Sequence, residues 1–255
     1  MIQEQAVRVY TIPIDRLAGA SGIASAISIP ELGRYFAGVW EFNPFQSMAW
    51  HLRWPQKPVA SYRGPSWSWS RSKGQIIWQH EVGTVELLPG AWDEWKVWDA
   101  QWGPRLLPDR SILLQGSNSM GNVLEGTYIT MRGYTRYVSV KEKPNEPYDD
   151  WGHNWGPDKV QQMGAKAHLD WGACNVGLDV KFCTDEERKQ TETKGMYLCV
   201  LITMEKKPKH TNPKAAALLL EEEKKYEAYR RIGIISFDLR DEDAEKWEKQ
   251  TLKLV

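Results

Sequence analysis

Apolar and polar side chains follow a strand-like pattern through much of the second half of the chain. Over residues 126–140 they alternate with a period of two, which predicts a strand with one buried face. Residues 197–204 and 232–237 are short continuous apolar runs, typical of buried strands. We also expect a short strand over 75–78 and a strand over 251–255 that closes a sheet edge.

Helical periodicity is confined to short segments. Apolar residues spaced by three and four predict a helix over 15–29, with Asp15 at its N-cap. Gly19 and Gly22 weaken this helix by roughly 1 kcal/mol each relative to alanine, and also permit a tight packing contact. Shorter helices are expected over 45–52 and 241–249. The apolar face of the first helix consists of Leu17, Ala20, Ile23, Ala24 and Ile27.

Serine and tryptophan alternate over residues 66–70, which predicts an extended chain with Trp67 and Trp69 on one face. We expect these indoles to be buried against the N-terminal helices. Arg63 and Glu41 are expected as partners of the indoles or of each other. Residues 214–229, by contrast, have high helix propensity throughout.

These elements predict an α+β fold in which a mostly antiparallel sheet forms the core and short N-terminal helices pack on it. The length of 255 residues suits a single domain. Within that domain, residues 1–72 form a helical, Trp-rich part. Residues 73–255 form a β-rich part with a charged C-terminal zone.

Composition excludes several classes of protein. With 42% hydrophobic residues and 33 basic against 33 acidic side chains, the chain is neither disordered nor globally basic, so we expect no nucleic-acid partner. No apolar run is long enough to span a membrane, and the first residues do not resemble a signal peptide. Three unevenly spaced cysteines fit a reducing compartment. We therefore expect a cytoplasmic protein without a membrane partner.

Tryptophan is the compositional outlier, with 14 residues, ten of them between Trp40 and Trp102. Four recur at spacings of three, three and four, which would form one stripe on a helix. Such a stripe packs in a core or binds an apolar ligand or a protein partner. The stripe consists of Trp92, Trp95, Trp98 and Trp102, which are the candidate binding residues.

No recognised catalytic or phosphate-binding motif occurs in the chain. The five histidines lie far apart, and we expect no metal and no cofactor. His168, Asp170 and Cys174 could form a thiol nucleophile with a base, but a buried cysteine and a surface histidine explain them better. Asp149 and Asp150 lack the third acid of a metal-binding cluster, and turn chemistry accounts for them equally well.

Several segments resemble, in order, fungal heterokaryon-incompatibility (HET) domain proteins. Residues 35–41 (YFAGVWE) resemble the YLAGLWE segment of that family, and residues 62–70 (YRGPSWSWS) resemble YRAPSWSWAS. Four further segments are similar to family segments: 15–24 (DRLAGASGIA), 48–51 (MAWH), 124–140 and 229–234 (YRRIGI). Within them, Trp40, Trp50, Trp67 and Trp69 are interpreted as structural anchors, whereas the stripe Trp92–Trp102 lies outside.

The resemblance implies that these segments belong to the region that follows the HET domain, a TIR-like domain linked to cell death after non-self fusion. We therefore expect the chain to lack that domain. The resemblance also implies a β-hairpin over 214–237, with residues 217–220 in its first strand, against the local helix propensity.

Three hypotheses for function follow. The first is a non-enzymatic regulatory or interaction region of a HET-type protein, favoured because no catalytic constellation is found. The second is an enzyme of specialised metabolism, such as a cyclase with a Trp-lined pocket, in which aromatic faces stabilise cations. The third is an inactive truncated fragment.

Overall fold

The computed structural model of the chain describes nine segments. They are residues 10–52, 61–72, 74–78, 103–142, 165–169, 172–178, 196–205, 214–238 and 246–255.

The N-terminal part consists of short elements. In chain order they are helix α1 (Arg16–Ile27), strands β1 (Tyr35–Phe36) and β2 (Val39–Trp40), helix α2 (Pro44–Ser47), and strands β3 (Trp50–Leu52) and β4 (Ile76–Trp78). Strands β1 and β2 form a hairpin, and β3 pairs with β4, both antiparallel. Three 3-10 turns lie at Pro13–Asp15, Pro30–Leu32 and Trp69–Arg71. None of the described helices is long and apolar enough to cross a bilayer.

Eight longer strands form the main sheet. They are β5 (Arg105–Ser111), β6 (Tyr128–Glu142), β7 (Ala165–Leu169), β8 (Gly172–Leu178), β9 (Met196–Glu205), β10 (Lys214–Glu223), β11 (Ala228–Asp238) and β12 (Glu248–Leu254). The pairing path runs β10-β9-β6-β12-β11-β8-β7, and β5 adds to β6. Because β10 also pairs with β11, and β6 with β7, the strands close into a circuit. Only the short β11–β12 contact is parallel, so the predicted α+β class with a mostly antiparallel sheet is confirmed.

The predicted strands over 75–78, 126–140, 197–204 and 232–237 are all present, with small shifts at their ends. The hairpin over 214–237 is also confirmed, since β10 pairs with β11 over its whole length. Residues 215–220 are buried at every position, on both faces of the strand. Burial on two sides therefore outweighs a helix propensity that is worth only tenths of a kcal/mol per residue.

Helix α1 begins at Arg16 and ends two residues before the predicted end. Asp15 occupies the N-cap position, but its side chain makes no capping hydrogen bond. Gly19 packs against the Tyr10 ring, as expected if this glycine permits a tight contact. A Cβ added to Gly22 would have no other atom within 4 Å. Only one of the two glycines therefore marks a close contact.

Three other sequence predictions are wrong in the described residues. The helix expected over 45–52 ends at Ser47, and Trp50–Leu52 is strand β3, because its backbone pairs with β4. Lys246–Lys249 is not helical, since β12 already begins at Glu248. Strand β12 is also not an edge, because it lies between β6 and β11.

Helix α1 is held against the loop between β5 and β6. Its Ala18 amide donates to Asn122 Oδ1 at 3.1 Å, and Asn118 Nδ2 donates to Ser21 Oγ at 3.2 Å. Apolar side chains of α1, the N-terminal turns and the sheet then form one buried cluster. Its members include Leu17, Phe36, Met48, Trp50, Trp67, Trp69, Ile129, Met131, Val200, Leu218, Ile234 and Leu252.

Candidate functional site

Four of the segments that resemble HET-type proteins meet in one buried region. Residues 35–41, 48–51, 62–70 and 229–234 come from distant parts of the chain, and direct hydrogen bonds join them across up to 183 positions. Two contact sets carry this convergence. We call them the Arg231 junction (Met48, Trp50, Ser66, Arg231 and Val255) and the Trp69 turn (Arg16, Ala37, Gly38, Ser68 and Trp69).

Arg231 is 2% exposed and reaches from β11 into the N-terminal part. Its Nη1 donates to the Met48 carbonyl oxygen at 2.7 Å, and its Nη2 donates to the carbonyl oxygen of Trp50. The guanidinium carbon lies 3.6 Å from the Trp50 ring centroid, so the cation also stacks on the indole face. One arginine thus fixes the backbone and the side chain at the start of β3.

A β-bulge gives Arg231 this position. The β10–β11 register shifts between Leu219 and Leu220, so that Leu219 lies opposite Gly233 whereas Leu220 lies opposite Arg231. The extra residue, Ile232, changes which face the following side chains occupy. Arg231 consequently lies on the face of Leu220, which belongs to the buried cluster.

Ser66 connects the same place to the end of β12. Its backbone N–H donates to the Val255 carbonyl oxygen at 2.9 Å, and its hydroxyl donates to the same oxygen. The Ser66 Oγ also accepts the Arg231 N–H at 2.8 Å, while Val255 N–H donates to the Tyr229 carbonyl at 3.0 Å. A single serine therefore links β11 and β12 to residues 62–70, which we call the Trp-rich segment.

The Trp69 turn is built on a tight β1–β2 hairpin. Ala37 and Gly38 both have positive φ, 49° and 92°, as the two central residues of a type I′ turn require. A Cβ added to Gly38 would lie 2.3 Å from Trp69 Nε1. Ser68 Oγ donates to the Ala37 carbonyl at 2.5 Å, so the turn is held from the side by the Trp-rich segment.

Glu41 and the Trp69 ring have partners other than Arg63 among the described residues. Glu41 accepts hydrogen bonds from Arg34 and, at 2.5 Å, from Arg110 of β5, so of the two expected arrangements the Glu41–Arg63 pair is not formed. It is Arg16 that lies over the Trp69 ring, 5.8 Å from its centroid. Burial lowers the pKa of Arg16 to about 10, which leaves it charged at neutral pH.

The tryptophans interpreted as anchors differ in burial. Trp50, Trp67 and Trp69 are at most 1% exposed, whereas Trp40 is half-buried and meets Tyr35 edge to face at 5.0 Å. The segment 66–70 is not the extended chain predicted, because it forms turns that end in a 3-10 turn. The indole N–H groups of the three buried rings have no acceptor among the described residues.

The remaining candidates lie partly or wholly outside the described residues. The stripe of Trp92, Trp95, Trp98 and Trp102 is outside them, as are Asp149, Asp150 and Asp170. The β7–β8 register pairs His168 with Ala173 and Cys174 with Ala167, so the two are not direct partners in the ladder.

The chemistry of the region is that of a packed interior. His51 is partly buried beside the junction, with Nδ1 3.1 Å from the Leu52 carbonyl oxygen. Burial, opposed by the Leu52 carbonyl and assisted by the charge of Arg231, lowers the pKa of His51 below 6.5. Within the described segments, no group of three His, Cys, Asp or Glu side chains could hold a metal ion. The arrangement positions backbone segments and presents no paired acid and base.

Comparison with protein families, curated proteins and solved structures finds no match to this chain. The resemblance to HET-type proteins therefore rests on the sequence segments themselves.

Replacing Arg231 by methionine should cost about 3 kcal/mol or more, because the Met48 and Trp50 carbonyls lose a charged donor while remaining buried. The adjacent Arg230→Met is the matched control. Arg230 pairs with Glu221 and both side chains are 36% exposed, so we expect a loss of about 0–1 kcal/mol. Urea unfolding of both variants measures the difference. Equal losses would show that the junction does not stabilise the fold.

Gly38→Ala should destabilise the protein by about 3 kcal/mol or more, since the new methyl group collides with Trp69 in addition to the strain of a positive φ. Gly116→Ala separates these two costs. The φ of Gly116, 96°, is similar to that of Gly38, but a Cβ added to Gly116 would have no atom within 4 Å. Its substitution therefore costs only the backbone strain, about 1–2 kcal/mol. Thermal unfolding of the two variants should rank them in that order.

Acidification should weaken the fold through His51. The unfolded chain takes up a proton on this histidine near pH 6.5, whereas the folded protein does so only at lower pH. The free energy of unfolding therefore falls as pH drops below about 6.5. His51→Gln should remove this pH-dependent part of the free energy of unfolding. It is measured by subtracting the free energy of unfolding of the variant from that of the wild type, at pH 7.5 and again at pH 5. A difference independent of pH would contradict the lowered pKa.

Proposed function

We propose that this chain is the non-enzymatic regulatory or interaction region of a fungal heterokaryon-incompatibility type protein, and that it acts in the cytoplasm by binding another protein. The observation that carries the proposal is the convergence of segments 35–41, 48–51, 62–70 and 229–234 in one buried region. These contacts support the proposal because the segments that resemble one family along the chain also form one structural unit.

The aromatic residues of the segments that resemble HET-type proteins are packed in a way that favours binding over catalysis. Trp50 is covered by Arg231, and the Phe36 ring meets Trp67 edge to face at 5.8 Å. Rings packed in this way do not offer the open aromatic wall that a cyclase needs around a cationic intermediate. We infer that these residues hold the scaffold and that the surface of the scaffold makes the functional contacts.

The proposal is tested in a filamentous fungus by expressing the tagged chain in two vegetatively incompatible strains. We expect the chain to change the extent of cell death after fusion and to co-purify with a defined protein. A variant with alanine at Trp92, Trp95, Trp98 and Trp102 tests the candidate stripe. If the stripe binds the partner, this variant should lose both effects while its circular dichroism stays that of the wild type.

Lys224→Gln, at the exposed turn between β10 and β11, serves as the folded control of comparable expression. A folded wild-type chain that neither alters fusion-induced death nor retains any protein would overturn the proposal. Turnover of a prenyl substrate by the purified chain would favour the cyclase hypothesis in its place.

A further inference from the structure

One solvent-facing part of the main sheet carries a concentration of positive charge. Strand β6 lies between β5 and β12 there, and the β6–β12 register places Lys249 opposite Tyr134, Thr251 opposite Arg132, and Lys253 opposite Thr130. Directly paired residues share a face. Arg132 and Lys249 are exposed, and Lys253 is half-buried. We call Arg132, Lys249 and Lys253 the basic face.

Aromatic rings lie against the two lysines of the basic face. Lys253 Nζ lies 4.3 Å from the Tyr128 centroid, and Lys249 Nζ lies 5.3 Å from that of Tyr134. Among the described residues, no carboxylate forms an ion pair with any of the three cations. Lys253 Nζ also donates to the Tyr226 carbonyl oxygen at 3.5 Å. Arg132 and Lys249 are exposed and direct their charges to solvent, whereas Lys253 is half-buried.

The neighbouring strand β5 contributes one cation, Arg105, and one acid, Asp109, to this part of the sheet. Arg105 of β5 lies directly opposite Arg132, and like charges in opposed positions of a sheet destabilise the pair. The nearby acid, Asp109, accepts hydrogen bonds from the Tyr128 hydroxyl at 2.9 Å and the Thr130 hydroxyl at 3.1 Å.

We propose that the basic face binds an extended acidic segment of the partner protein, in which carboxylates occupy alternate positions. This inference rests on the proposed function and names the chemistry of its partner. Cations two or four residues apart on one strand face repeat at about 7 Å per step, and side chains at every second position of an extended peptide repeat at the same distance. Adjacent strands, about 5 Å apart, place Arg132 between the two lysines.

A single-stranded nucleic acid fits this face less well. Binding of that kind uses aromatic rings with an open face on which bases stack. Here the faces of Tyr128 and Tyr134 are already occupied by the ammonium groups of Lys253 and Lys249. The zero net charge of the whole chain likewise provides no general attraction for a polyphosphate.

The test is fluorescence anisotropy with the full chain and a labelled peptide of alternating glutamate and threonine. We expect saturable binding that weakens with added salt, since exposed charge pairs are screened. Combined Arg132→Gln, Lys249→Gln and Lys253→Gln should weaken binding about tenfold, because each exposed pair contributes a modest part of the free energy. Lys224→Gln, at the exposed turn between β10 and β11, should change the affinity less than about twofold.

A labelled peptide of alternating lysine and threonine should not bind, and an oligothymidine of equal length should bind more weakly than the acidic peptide. Equal affinity of the triple variant and the wild type would overturn the proposal, as would tighter binding of oligothymidine. In the fungal experiment, a partner that the wild type and the triple variant retain equally would disprove only the role of the basic face in binding it. If the folded wild-type chain retains no protein at all, the proposed function is disproved instead.

Discussion

The fold depends on where the two terminal nitrogens of one buried guanidinium find their acceptors. Arg231 lies in the interior, where a charge costs several kcal/mol unless its donors are bonded. Carbonyl oxygens of Met48 and Trp50 accept from it, so the N-terminal part must lie against β11 for the sheet to tolerate the charge. The constraint works in both directions, because β3 is a strand of three residues that gains its position from the same contact.

The surrounding contacts make this arrangement cooperative. Ser66 ties the Trp-rich segment to β11 and β12, while Ser68 ties it to the β1–β2 hairpin. Glu41 at the end of that hairpin then reaches Arg110 on β5. Each contact joins parts of the chain that are far apart in sequence, so removing one should weaken several elements together. The serines between the tryptophans matter as much to the structure as the rings.

Much of the sheet was predictable from the sequence, because strands β6, β9 and β11 carry their apolar pattern locally. The hairpin of β10 and β11 required the family resemblance, since its first strand is rich in alanine, leucine and glutamate. The role of Arg231 was not predictable. Arg230 and Arg231 precede the same apolar run, and only the bulge at Leu219–Leu220, which depends on pairing with β10, decides which of them is buried. Likewise, the Trp-Ser alternation correctly indicates burial of Trp67 and Trp69, but the chain turns there to bring both serines and rings to partners.

The position of β12 has a consequence for how the main sheet opens. This strand lies between β6 and β11, and β7 and β8 also join those two strands through their own pairings. Strand β12 pairs with β6 at seven positions, Glu248 to Leu254, but with β11 only at Leu254. Local opening of the sheet should therefore begin between β11 and β12, where the fewest backbone contacts have to break.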